Sequence, residues 1–227
     1  MNTAIIVAAG SGKRFASDIP KQFLNILGKP VIIHTLERFE KCAAIAEVIL
    51  VLAASEIEPF KKFASNYILK KLVKIVPGGR TRAESVFNGL LAADNRTEII
   101  AVHDGARPLV SGDEITATVL EAQKTGAACL VTPVTDTIKQ VSGNEITGTL
   151  NRENLRRALT PQAFRYEILQ KAFAGSDLSS EVTDECCLVE KIGQKIAFVE
   201  GSSKNIKITH AEDLITAEAF MSSEFKL

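Results

Sequence analysis

Apolar and polar positions fall along this chain in two alternating kinds of block. The first kind is a short, continuous apolar run. Thr3-Ala4-Ile5-Ile6-Val7-Ala8, Val48 to Leu52, Ile99 to Val102, Ala127 to Val131 and Ile196 to Val199 are of this form, and Leu72 to Val76 is too apart from Lys74. Runs of this length, rich in β-branched residues and bounded by Gly, Pro or charge, read as strands buried on both faces. The second kind has helical spacing. After Pro30, Ile32, Leu36 and Phe39 share one face, and a polar helix is expected from about Ser55 to Lys70. Thr81 and Glu84 form a capping-box signature before a helix that turns Val86 and Leu90 inward, and Ser111 and Glu114 form another. Further helices are expected from Thr160-Pro161-Gln162, over Glu181 to Ile192, and from Thr209-His210-Ala211-Glu212 to near Met221. This rhythm predicts an α/β, Rossmann-like fold: a mostly parallel, twisted sheet flanked by helices.

One stretch breaks the rhythm. Thr135 to Leu150 offers two short polar strands around the turn signal Ser142-Gly143-Asn144. The pattern predicts a projecting β-arm, thin and with little to bury. Such a pair is stable only against a partner surface, which a second subunit exchanging arms would supply.

Composition narrows the class. The 227 residues are 46% hydrophobic and 24% charged, and 27 basic residues balance 27 acidic ones. That balance excludes a long basic track for nucleic acid, so phosphate binding would rest on a few placed charges. No apolar run reaches membrane-spanning length, and the N-terminus enters a strand without a signal-peptide pattern. Cys42, Cys129, Cys186 and Cys187 match neither a zinc motif nor a disulfide framework. A cytoplasmic protein of one domain over residues 1–227, with the arm at about 135–155, is the expectation.

Open α/β sheets bind ligands beyond the carboxyl ends of their strands. The glycine-rich and charged segments gather at those ends: Gly10-Ser11-Gly12-Lys13-Arg14, Gly78-Gly79-Arg80-Thr81-Arg82 and Asp104-Gly105-Ala106-Arg107. The small residues Ala8, Ala9, Gly10 and Gly12 let backbone approach a ligand, and free N–H groups there can cradle phosphate oxygens. The loop is neither a dinucleotide fingerprint nor a Walker loop, but Arg14 and Lys21 beside it point to a polyphosphate. Gly78 and Gly79 precede a helix N-terminus, where Ser85 could meet a base or ribose and Arg82 a phosphate. Asp104 ends a strand and is suited to a divalent metal between phosphates, with Arg107 three residues on. His103 reads as a packed residue, and no histidine cluster suggests zinc. No nucleophile elbow or triad is present, and transfer of a phosphoryl-type group needs none.

Taken together, these stretches resemble the 2-C-methyl-D-erythritol 4-phosphate cytidylyltransferases of the non-mevalonate isoprenoid pathway. The matching segments are Ala8 to Arg14, Pro20-Lys21-Gln22-Phe23, Gly78-Gly79, Val102 to Pro108, Asp136 to Lys139, Leu159-Thr160-Pro161-Gln162, Thr183-Asp184-Glu185 and Asn205-Ile206-Lys207. They run in family order over nearly the whole chain. The resemblance implies a nucleotidyltransferase form of the fold and in-line attack of the acceptor's phosphate on the α-phosphorus of CTP. It implies Mg2+ near Asp104 and transition-state contacts from Arg14 and Lys21. Cytosine and ribose would lie against Ala8, Ala9, Gly78, Ser85 and Asp104. Lys207 would position the acceptor phosphate, and Thr137 would meet the acceptor. The matching segments also bring Gly79, Ala106, Thr160 and Thr183 into the expected substrate set. Family enzymes are homodimers, so Arg152 would reach the neighbouring site from the arm. Asn151 departs from the aspartate common before that arginine. The ribitol 5-phosphate cytidylyltransferases share part of the motif set and stand as the alternative. Ala9 and Ala106, where that group has glycine and valine, favour methylerythritol phosphate. Some relatives carry a fused cyclase; here the single-function form is expected.

Overall fold

The computed structural model describes residues 1–10, 20–178 and 182–224, and of residues 21, 223 and 224 the backbone only. The first apolar run forms strand β1 (Asn2–Ala8). Its residues alternate as a pleat requires: Ala4, Ile6 and Ala8 enter one apolar cluster, and Ile5 enters a second across the sheet. After the short pair β2 (Asn25–Ile26) and β3 (Lys29–Pro30) comes helix α1 (Val31–Lys41), which buries Ile32, Leu36 and Phe39 as the spacing predicts.

The next units repeat the pattern. They are β4 (Glu47–Leu52), α2 (Ile57–Ala64), β5 (Leu72–Pro77), α3 (Arg82–Ala92), β6 (Ile99–Asp104), α4 (Gly112–Thr125) and β7 (Ala127–Pro133). α2 stops earlier than the expected Lys70. Ser65 and Asn66 turn their side chains onto the carbonyls of Lys62 and Phe63 and close the last turn. At α4 the capping box is complete, with Ser111 and Glu114 bonded both ways. At α3 only half of it forms. Thr81 accepts from the Glu84 N–H, but the Glu84 carboxylate goes to the N–H and guanidinium of Arg80.

The irregular stretch forms a two-stranded hairpin of its own, β8 (Lys139–Ser142) and β9 (Glu145–Thr149), with Gly143 at a positive φ in the turn. The chain then differs from the sequence expectation. Thr160-Pro161-Gln162 does not start a helix; it lies within β10 (Arg156–Arg165), and the Thr160–Pro161 peptide is cis. β10 is inserted between β6 and β7 and is antiparallel to both, with Leu159 to Phe164 buried. Helix α5 (Tyr166–Ala174) follows instead. The helix expected from Glu181 is α6 (Glu185–Lys191), set by Asp184, whose side chain caps the Cys187 N–H. β11 (Ala197–Glu200) and α7 (Ala211–Glu224) complete the chain.

Among the described residues the main sheet has seven strands in the order β11-β7-β10-β6-β1-β4-β5. β10 runs against the other strands, which pair in parallel where they adjoin each other, so the sheet is mixed but mostly parallel. Helices α1, α2 and α4 cover one face and α3, α5 and α6 the other. A third apolar cluster, built from Ile26, Val31, Leu109, Ile208, Ala217 and Met221, seats α7 against the β2–β3 pair. Because β10 is reversed, its amino-terminal half lies beside the carboxyl ends of its neighbours, as the pairing of Arg156 with Pro133 requires. That topology brings Thr160 to Asp104.

Candidate active site

β6 ends in two buried polar residues, His103 and Asp104. Asp104 is the centre of a charged cluster. Its Oδ1 accepts from Arg82 Nε at 3.3 Å and lies 3.3 Å from Arg82 Nη2. Its Oδ2 meets Lys207 Nζ at 2.9 Å and Arg107 Nε at 3.3 Å. The Asp104 N–H donates to the Thr160 hydroxyl at 3.2 Å. Burial alone would raise the carboxyl's pKa, but Arg82, Lys207 and Arg107 outweigh it and hold the group far below the usual carboxylate range. The cluster contains a second acid. Arg82 Nη1 donates to Glu185 Oε1 at 2.6 Å, and Glu185 is fully buried. Burial pushes Glu185 upward, against the pull of Arg82. Among the described residues, three cations pair with two carboxylates here, which leaves one positive charge over and suits the cluster to an anion.

The cations are delivered by separate elements. Arg82 opens α3, Arg107 follows β6, and Lys207 lies on the segment between β11 and α7. That segment is fastened at several points. Glu114 Oε1 accepts from the Ser202 N–H at 2.6 Å, the Asn205 side chain donates to the Thr160 carbonyl at 3.0 Å, and the Ile208 N–H donates to the Ala106 carbonyl at 2.8 Å. Arg107 Nη1 donates to the Asn205 carbonyl at 2.8 Å.

His103 supports the cluster from beneath. Nε2 lies 3.1 Å from the Arg107 carbonyl and Nδ1 lies 2.9 Å from the Thr160 hydroxyl. A carbonyl only accepts, so Nε2 carries the hydrogen, and the neutral ring accepts from Thr160 at Nδ1. Burial pushes its pKa down to about 4.

The first loop begins where β1 ends. Gln22 Nε2 donates to the Ala8 carbonyl at 2.9 Å and fixes that end. Gly12 and Arg14 lie outside the described residues, and Lys21 is described by its backbone alone, in a short 3-10 turn. Ala9 packs against Gly78: a methyl group on Gly78 would sit 2.3 Å from the Ala9 Cβ and 2.9 Å from Ser85 Oγ. Ser85 is inward-facing. Its hydroxyl donates to the Thr81 carbonyl at 2.8 Å and accepts from the Gly79 N–H at 3.1 Å, so it holds the glycine turn as well as facing it. Thr137, Arg152 and Thr183 are exposed, and the side-chain contacts of the last two lie away from Asp104. Arg152 Nη1 donates to the Thr135 carbonyl at 2.6 Å at the base of the hairpin, and Thr183 Oγ1 lies 3.3 Å from Cys187 Sγ.

The sequence reading missed Glu185 and Gln162 as parts of this cluster. A signal was present for Glu185, an acid spaced three and four residues before Leu188 and Val189 on the buried face of α6. For a metal, the donor set is sparse. Among the described residues no group of three His, Cys, Asp or Glu side chains converges. Asp104 offers hard carboxylate oxygens, which fits a cation that takes its remaining ligands from nucleotide phosphates and water, and does not fit an all-protein cage.

Comparison with known proteins gives a consistent result. The family model described as IspD, 2-C-methyl-D-erythritol 4-phosphate cytidylyltransferase, matches residues 2–223. The 2-C-methyl-D-erythritol 4-phosphate cytidylyltransferase of Bacillus licheniformis is 42% identical over 99% of this chain and 97% of its own. The bifunctional enzyme IspD/IspF of Desulfotalea psychrophila is 44% identical over 97% of this chain, which spans only 57% of that longer protein. The crystal structure of 4-diphosphocytidyl-2C-methyl-D-erythritol synthase from Anaerococcus prevotii superposes with a TM-score of 0.85 at 31% identity, covering 97% of this chain and 96% of that one.

Proposed function

The chain belongs to the 2-C-methyl-D-erythritol 4-phosphate cytidylyltransferase family, and from that premise we propose how its own residues carry the reaction. The enzyme transfers the cytidylyl group of CTP to 2-C-methyl-D-erythritol 4-phosphate, giving 4-(cytidine 5'-diphospho)-2-C-methyl-D-erythritol and diphosphate. The observation that carries the residue-level reading is the set of three cations gathered on Asp104 at the carboxyl end of β6.

In this reading the acceptor phosphate attacks the α-phosphorus in line, its new P–O bond forming as the bond to diphosphate breaks. Negative charge spreads over the phosphoryl oxygens, and placed cations lower the barrier by meeting it there. Lys207 and Arg107 share one oxygen of Asp104, so either can turn from it to a phosphate without leaving a buried acid unpaired. Lys207 then orients the acceptor phosphate. Arg14 and Lys21 act on the transferring group from the loop after β1. Ala8, Ala9, Gly78, Ser85 and Asp104 form the wall for cytosine and ribose, supported by the close fit of Ala9 on Gly78, with Gly10 and Gly79 beside them. Mg2+ arriving with CTP would be held by Asp104 and would draw charge from the nucleotide phosphates.

The same reading makes the enzyme a homodimer that exchanges the arm at 135–155, with Arg152 and Thr137 serving the partner's site. Support comes from the hairpin itself: the cross-strand pair Val141 and Ile146 is 62% and 67% exposed, an apolar surface left largely uncovered by the described residues. Residues 1–227 are taken as one domain, supported by the continuous sheet. A cytoplasmic location is supported by four free cysteines.

Diphosphate release from CTP with magnesium, compared between methylerythritol phosphate and ribitol phosphate, tests the acceptor. Release with the first alone is expected. Release with ribitol phosphate alone would reassign the acceptor.

A further inference from the structure

Arg82 divides its guanidinium between two acids. Nη1 goes to Glu185 at 2.6 Å, while Nε and Nη2 both approach Oδ1 of Asp104 at 3.3 Å. The guanidinium is a rigid planar fork, so fixing one edge fixes the direction of the other. Glu185 is fully buried, and its Oε2 has no hydrogen-bond partner among the described residues. A buried carboxylate with an unpaired oxygen is costly, and replacing such a pair with apolar groups often stabilises a fold. Stability alone does not account for this acid.

Its own placement is over-determined. The backbone N–H groups of Glu185 and Cys186 both donate to Oε1 of Gln162 at 3.2 Å. Nε2 of Gln162 donates to Asp184 Oδ2 at 2.9 Å, and Oδ1 of Asp184 caps the Cys187 N–H at 3.0 Å. Gln162 is itself buried in β10. The start of α6 is therefore locked to the central sheet, and the Glu185 carboxylate passes that rigidity to Arg82. The two oxygens of Asp104 then differ. Oδ1 is anchored through Arg82 to Glu185, whereas Oδ2 holds the two cations, Lys207 and Arg107, that have other work to do.

We propose that Glu185 is a positioning residue for the cytidylyl transfer: held by Gln162, it fixes Arg82 so that Asp104 presents Oδ2 to Lys207 and Arg107. Without Glu185, Arg82 is free to follow incoming phosphates, and Asp104 loses its orientation. This rests on the reading that the reaction takes place at Asp104.

The test is a double-mutant cycle on the full-length enzyme, using Glu185→Gln, Arg82→Ala and the double variant, with Asp104→Asn as a separate control. Glu185→Gln keeps the side chain's shape and removes its charge. It is expected to lower kcat about tenfold or more, the scale of a lost outer-shell partner, with the KM for CTP within about threefold. In the Arg82→Ala background the same change should cost less than about twofold, because its route to the site is gone. An equal loss in both backgrounds would mean that Glu185 acts by packing, and would overturn the proposal. Wild-type turnover in Glu185→Gln while Asp104→Asn is inactive would also overturn it and leave the site reading intact. Wild-type turnover in Asp104→Asn would instead remove the reading on which it rests. Should Glu185→Gln fail to fold, Arg82→Lys carries the test: it keeps the charge but lacks the fork. A similar fall in kcat supports the proposal, and unchanged turnover overturns it.

Discussion

His103 shows how a residue outside the chemistry is bound to it. Its ring stacks at a tilt on Phe39 with centroids 4.9 Å apart, and its two nitrogens reach Thr160 and the Arg107 carbonyl. Both partners border Asp104, so the neutral ring fixes the spacing between β6 and β10 under the charged cluster. Neutrality has a consequence for stability. The folded pKa is near 4 against 6.5 for the free side chain, so the unfolded chain takes up a proton first as pH falls. The stabilisation is complete above pH 6.5 and is lost progressively between there and about 4, amounting to roughly 3 kcal/mol at the lower end. Urea midpoints of the nucleotide-free protein should fall between about pH 7.5 and about pH 5. In His103→Gln that slope should flatten. An unchanged slope would show that other groups cause it.

At the scale of elements, α3 carries two duties: its first turn supplies Arg82, and its body sets how closely that turn approaches the sheet. Gly89 makes the approach possible. A Cβ there would stand 2.6 Å from Cγ2 of Ile5 and 3.1 Å from Cγ2 of Val51, on β1 and β4. In an exposed helix Gly→Ala is worth up to about 1 kcal/mol of gain, but overpacking costs about 1–3 kcal/mol, so the packing term wins. Gly89→Ala should lower the urea midpoint, and because the helix is pushed outward kcat should fall with it. A stabilised Gly89→Ala would mean that the helix has slack. The buried strands and most helices were legible in the sequence because each carries its period locally. β10 was not. Thr160-Pro161 has the local form of a helix start, yet Leu159 to Phe164 fill the slot between β6 and β7, and tertiary pairing overrides the local signal. The site divides in the same way. Asp104, Arg107 and Arg82 were legible from their position at strand ends. Glu185 carried a motif and a helical spacing but no partner, because the residue that meets it in that core, Arg82, stands 103 positions away.

At the scale of the whole molecule, the hairpin and the charged cluster are separate features of one chain. Arg152 sits at the hairpin base with its guanidinium on the Thr135 carbonyl, exposed, and its contacts are separate from those of Asp104. A hairpin carrying Val141 and Ile146 outward is incomplete alone, and arm exchange between two copies would bury that surface and deliver Arg152 together. Complementation tests this directly. Arg152→Ala and Lys207→Ala should each be nearly inactive as pure preparations. If Arg152 serves the partner's site, a mixed dimer holds one wholly native site, made of Lys207 from one copy and Arg152 from the other, and one doubly defective site. Random exchange places half of the subunits in mixed dimers, so equal mixing after unfolding and refolding should restore about a quarter of wild-type turnover. If Arg152 serves its own subunit, every site in every mixture still lacks one of the two side chains, and no activity returns. Recovery near a quarter would therefore place the arm across the dimer, and its complete absence in refolded, dimeric protein would return Arg152 to its own chain.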